Sequence, residues 1–242
     1  VCSPSRSALM TGCDPKRALP IPHVLFPGND VGLAPEEVTV AEILKEAGYT
    51  TCHIGKWHLG FDDWYPERQG FDLNVGGCDF GHPPSYFDPY ESKGVSIPTL
   101  EPRREGEYLT DREADEAVAF VRRHAERPFF LHLSFYAVHA PLQAPADLIE
   151  ACAARPEEGR QGPPVYAAMV ERMDVAVGQV LNTLDELALT ERTIVVFTSD
   201  NGGASHFPAT DNSPLRAGKG HPYEGGLRVP LIVRWPGVAR PD

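Results

Sequence analysis

Apolar positions recur along this chain at two different spacings, and the two kinds of stretch alternate. Between Val165 and Leu187, the residues Met169, Val170, Met173, Val177, Val180, Leu181 and Leu184 fall at intervals that predict an amphipathic helix. Thr110-Asp111-Arg112-Glu113 reads as a capping box, and the helix it opens carries Ala114, Ala117, Val118 and Val121. Thr39-Val40-Ala41-Glu42 has the same grammar and opens a shorter helix through Ala47, with Gly48 suited to its stop. Between these stretches lie runs without helical period: Tyr49 to Ile54, Phe129 to Tyr136 after Pro128, Thr193 to Thr198, and Pro230 to Trp235. They have the length and β-branched or aromatic content of strands, and Thr193–Thr198 reads as the most strongly buried of them. Helix alternating with strand predicts an α/β fold, a mostly parallel sheet covered by helices on both faces.

Two stretches rich in Gly and Pro, Asp62 to Pro102 and Gly202 to Gly226, fit no element. Loops of that length in a compact domain are usually functional. Three polar clusters follow strand-like runs: Lys56 with His58, His139, and Asp200 with Asn201. Ligands of open α/β sheets gather outside the carboxyl ends of strands, so the three clusters are expected to share one site.

Composition narrows the choice of partner. The formal net charge of -12 argues against general nucleic-acid binding, which needs a basic footprint. No apolar run is long enough to span a membrane, and no signal peptide is visible. Cys2, Cys13, Cys52, Cys78 and Cys152 are widely spaced without a C-x-x-C pair, so neither a zinc site nor a disulfide framework is indicated.

The opening segment, Cys2-Ser3-Pro4-Ser5-Arg6-Ser7-Ala8-Leu9-Met10-Thr11-Gly12, has helix-start grammar, with Ser3 as N-cap and Pro4 in the first turn. Cys2 is then expected just before a helix N-terminus, where free N–H groups favour negative charge, and Arg6 can point back at the same anion. In an extended Gly55-Lys56-Trp57-His58-Leu59-Gly60, Lys56 and His58 share a side and Trp57 faces away. Asp200 and Asn201 offer oxygens suited to a hard cation such as Ca²⁺ or Mg²⁺, although Asp, Asn and Gly are also the usual residues of a turn. His82 and Ser85 lie in the aromatic loop Asp79–Tyr86, which reads equally as a wall of the substrate pocket, with rings that could stack on a sugar or an aryl group, or as a packed surface loop.

The pattern C-x-P-S-R-x-x-L-x-T-G resembles the signature of the formylglycine-dependent sulfatases of the alkaline phosphatase superfamily. Gly55–Gly60, Val138-His139-Ala140-Pro141, Ser199-Asp200-Asn201-Gly202-Gly203, and Leu215–Gly220 leading into Tyr223–Pro230 are similar to further family segments, in the same order. The resemblance implies that Cys2 is oxidised to formylglycine by a formylglycine-generating enzyme and serves as nucleophile and metal ligand. Asp200 and Asn201 would be further ligands, and Arg6 and Lys56 would hold the formylglycine. His58 would act as base on its second hydroxyl, while His139 and Lys219 would bind sulfate with one of them near the leaving oxygen as acid. His82, Ser85 and Arg216 are candidate substrate contacts, and Glu224 and Arg228 read as structural. The expected partner is a small-molecule or glycan sulfate ester, in a periplasmic, secreted or lysosomal-type setting. The chain is expected to be one catalytic domain, 1–242, truncated at both ends, without the aspartate pair of the family's first strand or its smaller C-terminal subdomain. The competing readings are a phosphonate or phosphate ester hydrolase of the same superfamily and an inactive anion- or glycan-binding fragment.

Overall fold

In the computed structural model, which describes residues 1–156, 162–205 and 209–240, the first helix, α1, runs over Cys2–Thr11, followed by the short α2, Pro15–Ala18. Thr39 and Glu42 form the complete capping box expected of them at the head of α3, Val40–Glu46. The strand β1, Thr50–Gly55, then enters the sheet. After it come β2, Leu73–Val75, and a small hairpin of β3, Glu91–Ser92, and β4, Val95–Ser96. The second half contains α4, Leu109–Arg123; β5, Phe129–Ser134; α5, Ala146–Ala153; α6, Pro164–Glu186; β6, Val195–Thr198; α7, Glu224–Leu227; and β7, Leu231–Arg234.

The central sheet has the order β2-β1-β5, with both pairings parallel. Alternation along β1 sends its side chains to two different cores. Cys52 and Ile54 face Ala117, Phe120 and Val121 of α4 and Leu184 of α6. On the other face, Trp57, Phe71 and Phe130 pack with Met10 of α1 and Ala41 of α3. Helices thus cover both faces, as the alternating pattern predicts. A third cluster, with Tyr86, Tyr90, Tyr108, Tyr136 and Met169 fully enclosed, lies beyond the carboxyl ends of the strands.

The structure corrects the sequence reading in five places. Val1, not Ser3, precedes α1, so Cys2 is the first helical residue; the Ser3 hydroxyl instead accepts the Leu25 N–H at 3.1 Å. The Thr110–Glu113 capping box does not form. The helix begins at Leu109, and buried Glu113 accepts the Tyr136 N–H at 3.2 Å, a tertiary demand that overrides the local pattern. The stretch 62–102 is no plain loop, because it supplies β2 to the sheet and Tyr86, Tyr90, Ile97 and Leu100 to a core. The chain turns out of the extended conformation after Gly55, with His58 at φ 61. Finally, among the described residues β6 pairs only with β7, antiparallel and apart from the central sheet. Val196 and Ile232 stand 57% and 63% exposed among the described residues, so the β-branched run is not a buried strand. An apolar run reports the tendency to be covered, whereas coverage depends on which layers lie against it.

Candidate active site

The ends of β1, β5 and β6 each deliver polar side chains to one region, and α1 brings Cys2 there from 199 positions before Asn201 and Arg6 from 194 positions before Asp200. The Cys2 thiol is 3% exposed and donates to Asn201 Oδ1 at 3.7 Å. Lys56, directly after β1, is also buried, and its ammonium lies close enough to the Cys2 side chain to interact with it electrostatically. Burial pushes the Lys56 ammonium below its ordinary range, and Arg6 adds to this, while Cys2 and Asp200 oppose it.

Arg6 sits one turn along α1 and clasps the chain after β1. Its Nε donates to the Trp57 carbonyl at 2.7 Å, and its Nη2 donates to the Lys56 carbonyl and to Ser134 Oγ. Its Nη1 reaches Asp200 Oδ2 at 3.5 Å. A guanidinium has five N–H groups, so these four contacts leave one for a ligand. The main work of Arg6 in this arrangement is to fix the segment bearing Lys56 and to tie it to Asp200. Burial opposes the charge on Asp200, yet Arg6, Lys56 and Lys219 together hold its carboxyl below the usual carboxylate range.

The histidines are held as neutral bases. His58 Nε2 lies 2.8 Å from the Leu25 carbonyl and must carry the hydrogen, which leaves Nδ1 with a free lone pair, buried and without a partner among the described residues. Burial and then Lys56 lower its pKa to about 3. A Cβ on Gly81 would stand 2.7 Å from His58 Cε1, so only glycine lets that loop close over the ring. His139 Nδ1 lies 3.0 Å from the Ala140 carbonyl and must be the donor there. Its Nε2 therefore accepts from Lys219 Nζ at 3.1 Å. Burial, followed by Lys56 and Lys219, brings the His139 pKa down to about 4.

The donors for a metal fit in chemistry and fall short in number. Asp200 is a carboxylate kept ionised, and Asn201 adds an amide oxygen beside Cys2, which is the oxygen chemistry that a hard divalent cation takes. Among the described residues no group of three His, Cys, Asp or Glu side chains surrounds such a position.

The candidate substrate residues are dispersed. His82 is exposed, and its ring stacks on His139 with centroids 5.9 Å apart. With Pro83, Pro84, Ala140 and Pro141 it lines a shallow cleft beside His139. The Ser85 hydroxyl is engaged within its own turn, accepting the Phe87 N–H at 3.1 Å. The Arg216 guanidinium lies 3.7 Å over the Tyr223 ring. Tyr86 is fully buried, donating to the Tyr136 and His139 carbonyls at 2.8 and 2.9 Å, so its ring holds the His139 loop and cannot stack on a ligand. Sequence reasoning missed Ser134, which Arg6 grips, because its role follows only from the β1–β5 register. Glu224 and Arg228 form an exposed ion pair at 3.6 Å.

An α/β scaffold that gathers a buried thiol, three cations and an Asp–Asn pair at its strand ends has the charge to attract an anion beside that thiol. The sulfatase family model matches residues 1–241, and the chain belongs to the sulfatase family. It is 34% identical over 271 residues to N-acetylgalactosamine-6-sulfatase of Canis lupus familiaris, covering 98% of this chain and 48% of that relative. With arylsulfatase A of Homo sapiens it shares 34% identity over 270 residues, covering 100% of this chain and 51% of the relative. The crystal structure of Ps i-CgsB matches with a TM-score of 0.83 at 32% identity, over 98% of this chain and 55% of that one. The complex of Ps i-CgsB with k-i-k-neocarrahexaose matches at 0.81 and 31% identity, over 97% and 55%. The chain spans about half the length of the curated relatives it matches.

Proposed function

We propose that the protein hydrolyses sulfate esters through position 2, with Cys2 converted to formylglycine by a formylglycine-generating enzyme and a divalent cation, Ca²⁺ or Mg²⁺, held by position 2, Asp200 and Asn201. The observation that carries this reading is the meeting of Cys2 with Lys56 and Asn201 in a pocket whose charge is dominated by Arg6, Lys56 and Lys219. When in place, the converted residue supplies a hydroxyl nucleophile and the cation polarises the sulfate oxygens. Lys56 holds position 2, and Arg6 holds Lys56. The free Nδ1 of His58 is the base for the second hydroxyl. Lys219, rather than neutral His139, carries the proton nearest the leaving oxygen, and His139 orients it. Two fixed cations beyond the one balanced by Asp200 favour an anionic ester, and such preorganised charge is often the largest catalytic contribution.

The substrate class we infer is a sulfated carbohydrate. Support comes from the exposed His82 ring at the cleft mouth, the neocarrahexaose bound by Ps i-CgsB, and the N-acetylgalactosamine-6-sulfatase relative. No helix among the described residues is long and apolar enough to cross a membrane. The reading implies a periplasmic, secreted or lysosomal-type setting. The test is twofold. Mass spectrometry of the Cys2 peptide, from a host with the converting enzyme, should find the aldehyde. Cys2→Ala should abolish turnover of an aryl sulfate, whereas the parent should cleave it in preference to the matched aryl phosphate. Undiminished turnover by Cys2→Ala would overturn the nucleophile, and preference for the phosphate would overturn the substrate class.

A further inference from the structure

Beneath the site lies a pair of histidines that the chemistry above does not use. His53 of β1 stands opposite His132 of β5 in the parallel ladder, and their Nδ1 atoms are 3.0 Å apart. His53 is completely buried, and its Nε2 lies 3.0 Å from the carbonyl of Gly55, the residue before Lys56. We propose that this imidazole pair is a positioning device for Lys56, a relay of hydrogen bonds that fixes the Gly55–Lys56 peptide; it rests on the reading in which Lys56 holds position 2.

The hydrogen-bond inventory allows one arrangement of two neutral rings. A carbonyl accepts only, so His53 must carry its hydrogen on Nε2, which leaves Nδ1 as an acceptor. His132 must then carry its hydrogen on Nδ1 and donate it to His53. Protonating either ring would set the pair against the Arg6 cation, and burial, then for His53 the neighbouring His132 ring, and Arg6 favour the neutral form of both. The rings of Trp57 and Phe71 meet His53 edge-on at 5.2 and 5.5 Å and keep it from swinging away. The other bonds of the same segment are made from elsewhere. The Lys56 N–H donates to the Ser134 carbonyl at 2.8 Å, and Arg6 binds the carbonyls of Lys56 and Trp57. The Gly55 carbonyl is the one that Arg6 does not bind, and His53 closes the set. Gly55 itself has φ 90, and a Cβ there would run into the Ser134 carbonyl and the Glu113 carboxyl, so the turn has no slack on its far side. His53 and His132 are therefore positioning residues for Lys56 and touch no reacting atom.

The experiment uses the full chain, converted at Cys2, with 4-nitrophenyl sulfate as probe, and compares His53→Leu, His53→Gln and His132→Phe with the parent and with Cys2→Ala. Long-range ¹H–¹⁵N correlation should assign the Nε2–H form to His53 and the Nδ1–H form to His132. His53→Leu should lower kcat by about tenfold or more, since small misplacements of catalytic groups cost that much, while KM stays within about twofold. His53→Gln, whose amide can donate to the same carbonyl, should recover most of kcat. Should His53→Leu fail to fold, His132→Phe carries the comparison, with a smaller loss in kcat expected. The opposite tautomers, or kcat unchanged in His53→Leu or His132→Phe, or equal loss in the Leu and Gln variants, would overturn the proposal. Activity surviving in Cys2→Ala would overturn the nucleophile reading instead, and the tautomer measurement stands apart from it.

Discussion

Replacing Glu113 by Gln should stabilise the protein, increasingly so as the pH rises. Glu113 is 3% exposed, its Oε1 accepts the Tyr136 N–H at 3.2 Å, and its Oε2 has no partner among the described residues. Burial pushes its carboxyl well above the usual range, with the Tyr136 N–H pulling weakly the other way. The unfolded chain ionises this group near the ordinary glutamate value of about 4.3. Below that pH both states hold the proton. Above it the folded state still holds the proton and the unfolded state does not, so the unfolded state binds fewer protons and stability falls with pH. The slope is about 1.4 kcal/mol per pH unit until the folded-state group ionises. Gln keeps the acceptor for Tyr136 and has no proton to lose, so it removes this slope. For a chain of this size about 1 kcal/mol moves Tm by about 2–4 °C, so the gap between E113Q and the parent should widen by roughly 4 °C per pH unit. Thermal unfolding of both proteins from pH 5 to 8 measures it. A gap that stays constant or narrows with rising pH would refute the buried neutral acid.

Other outcomes follow from the site. Lys219→Met should lower kcat/KM by about 10²–10³, the usual cost of removing one preorganised charge, with His139→Gln losing less. Because the His139 pKa is brought down to about 4, ionisation of His139 should not limit turnover near pH 6.5. An acid-requiring ionisation there that vanishes in His139→Gln would make His139 the acid after all. On the proposed ligand set, Asp200 and Asn201 offer at most three side-chain oxygens against the six to eight that Ca²⁺ takes. Calorimetric titration of the unconverted chain should therefore show weak binding, of about millimolar Kd, weakened further in Asp200→Ala. Submicromolar binding indifferent to Asp200 would refute that ligand set.

The convergence of the candidate residues was legible in the sequence wherever a short pattern sat at the end of a strand. Lys56, His58, His139, Asp200 and Asn201 all follow strand-like runs; parallel packing brings the ends of β1 and β5 together, while Asp200 and Asn201 reach α1 from β6, outside that sheet. What escaped was whatever depends on lateral register or on burial. His53, His132 and Ser134 are ordinary strand residues until the ladder sets His53 against His132 and Gly55 against Ser134. Glu113 looked like a helix cap because a capping box is defined by spacing alone, while its buried partner lies 23 positions away. Tyr86 looked like a stacking platform because composition does not say which way a ring faces.

On the proposed function, in which Cys2 is converted by another enzyme, the burial of Cys2 limits when that conversion can happen. A thiol 3% exposed, at the first turn of a helix pinned through Arg6 to two strands' ends, offers no approach to another enzyme's active site. If conversion is required, it must win a race against folding, acting on Cys2 through Gly12 while that stretch is still a free strand of chain. The yield of active protein is then set by kinetics. Any change that speeds docking of α1, however stabilising, should leave more molecules closed around an unconverted cysteine.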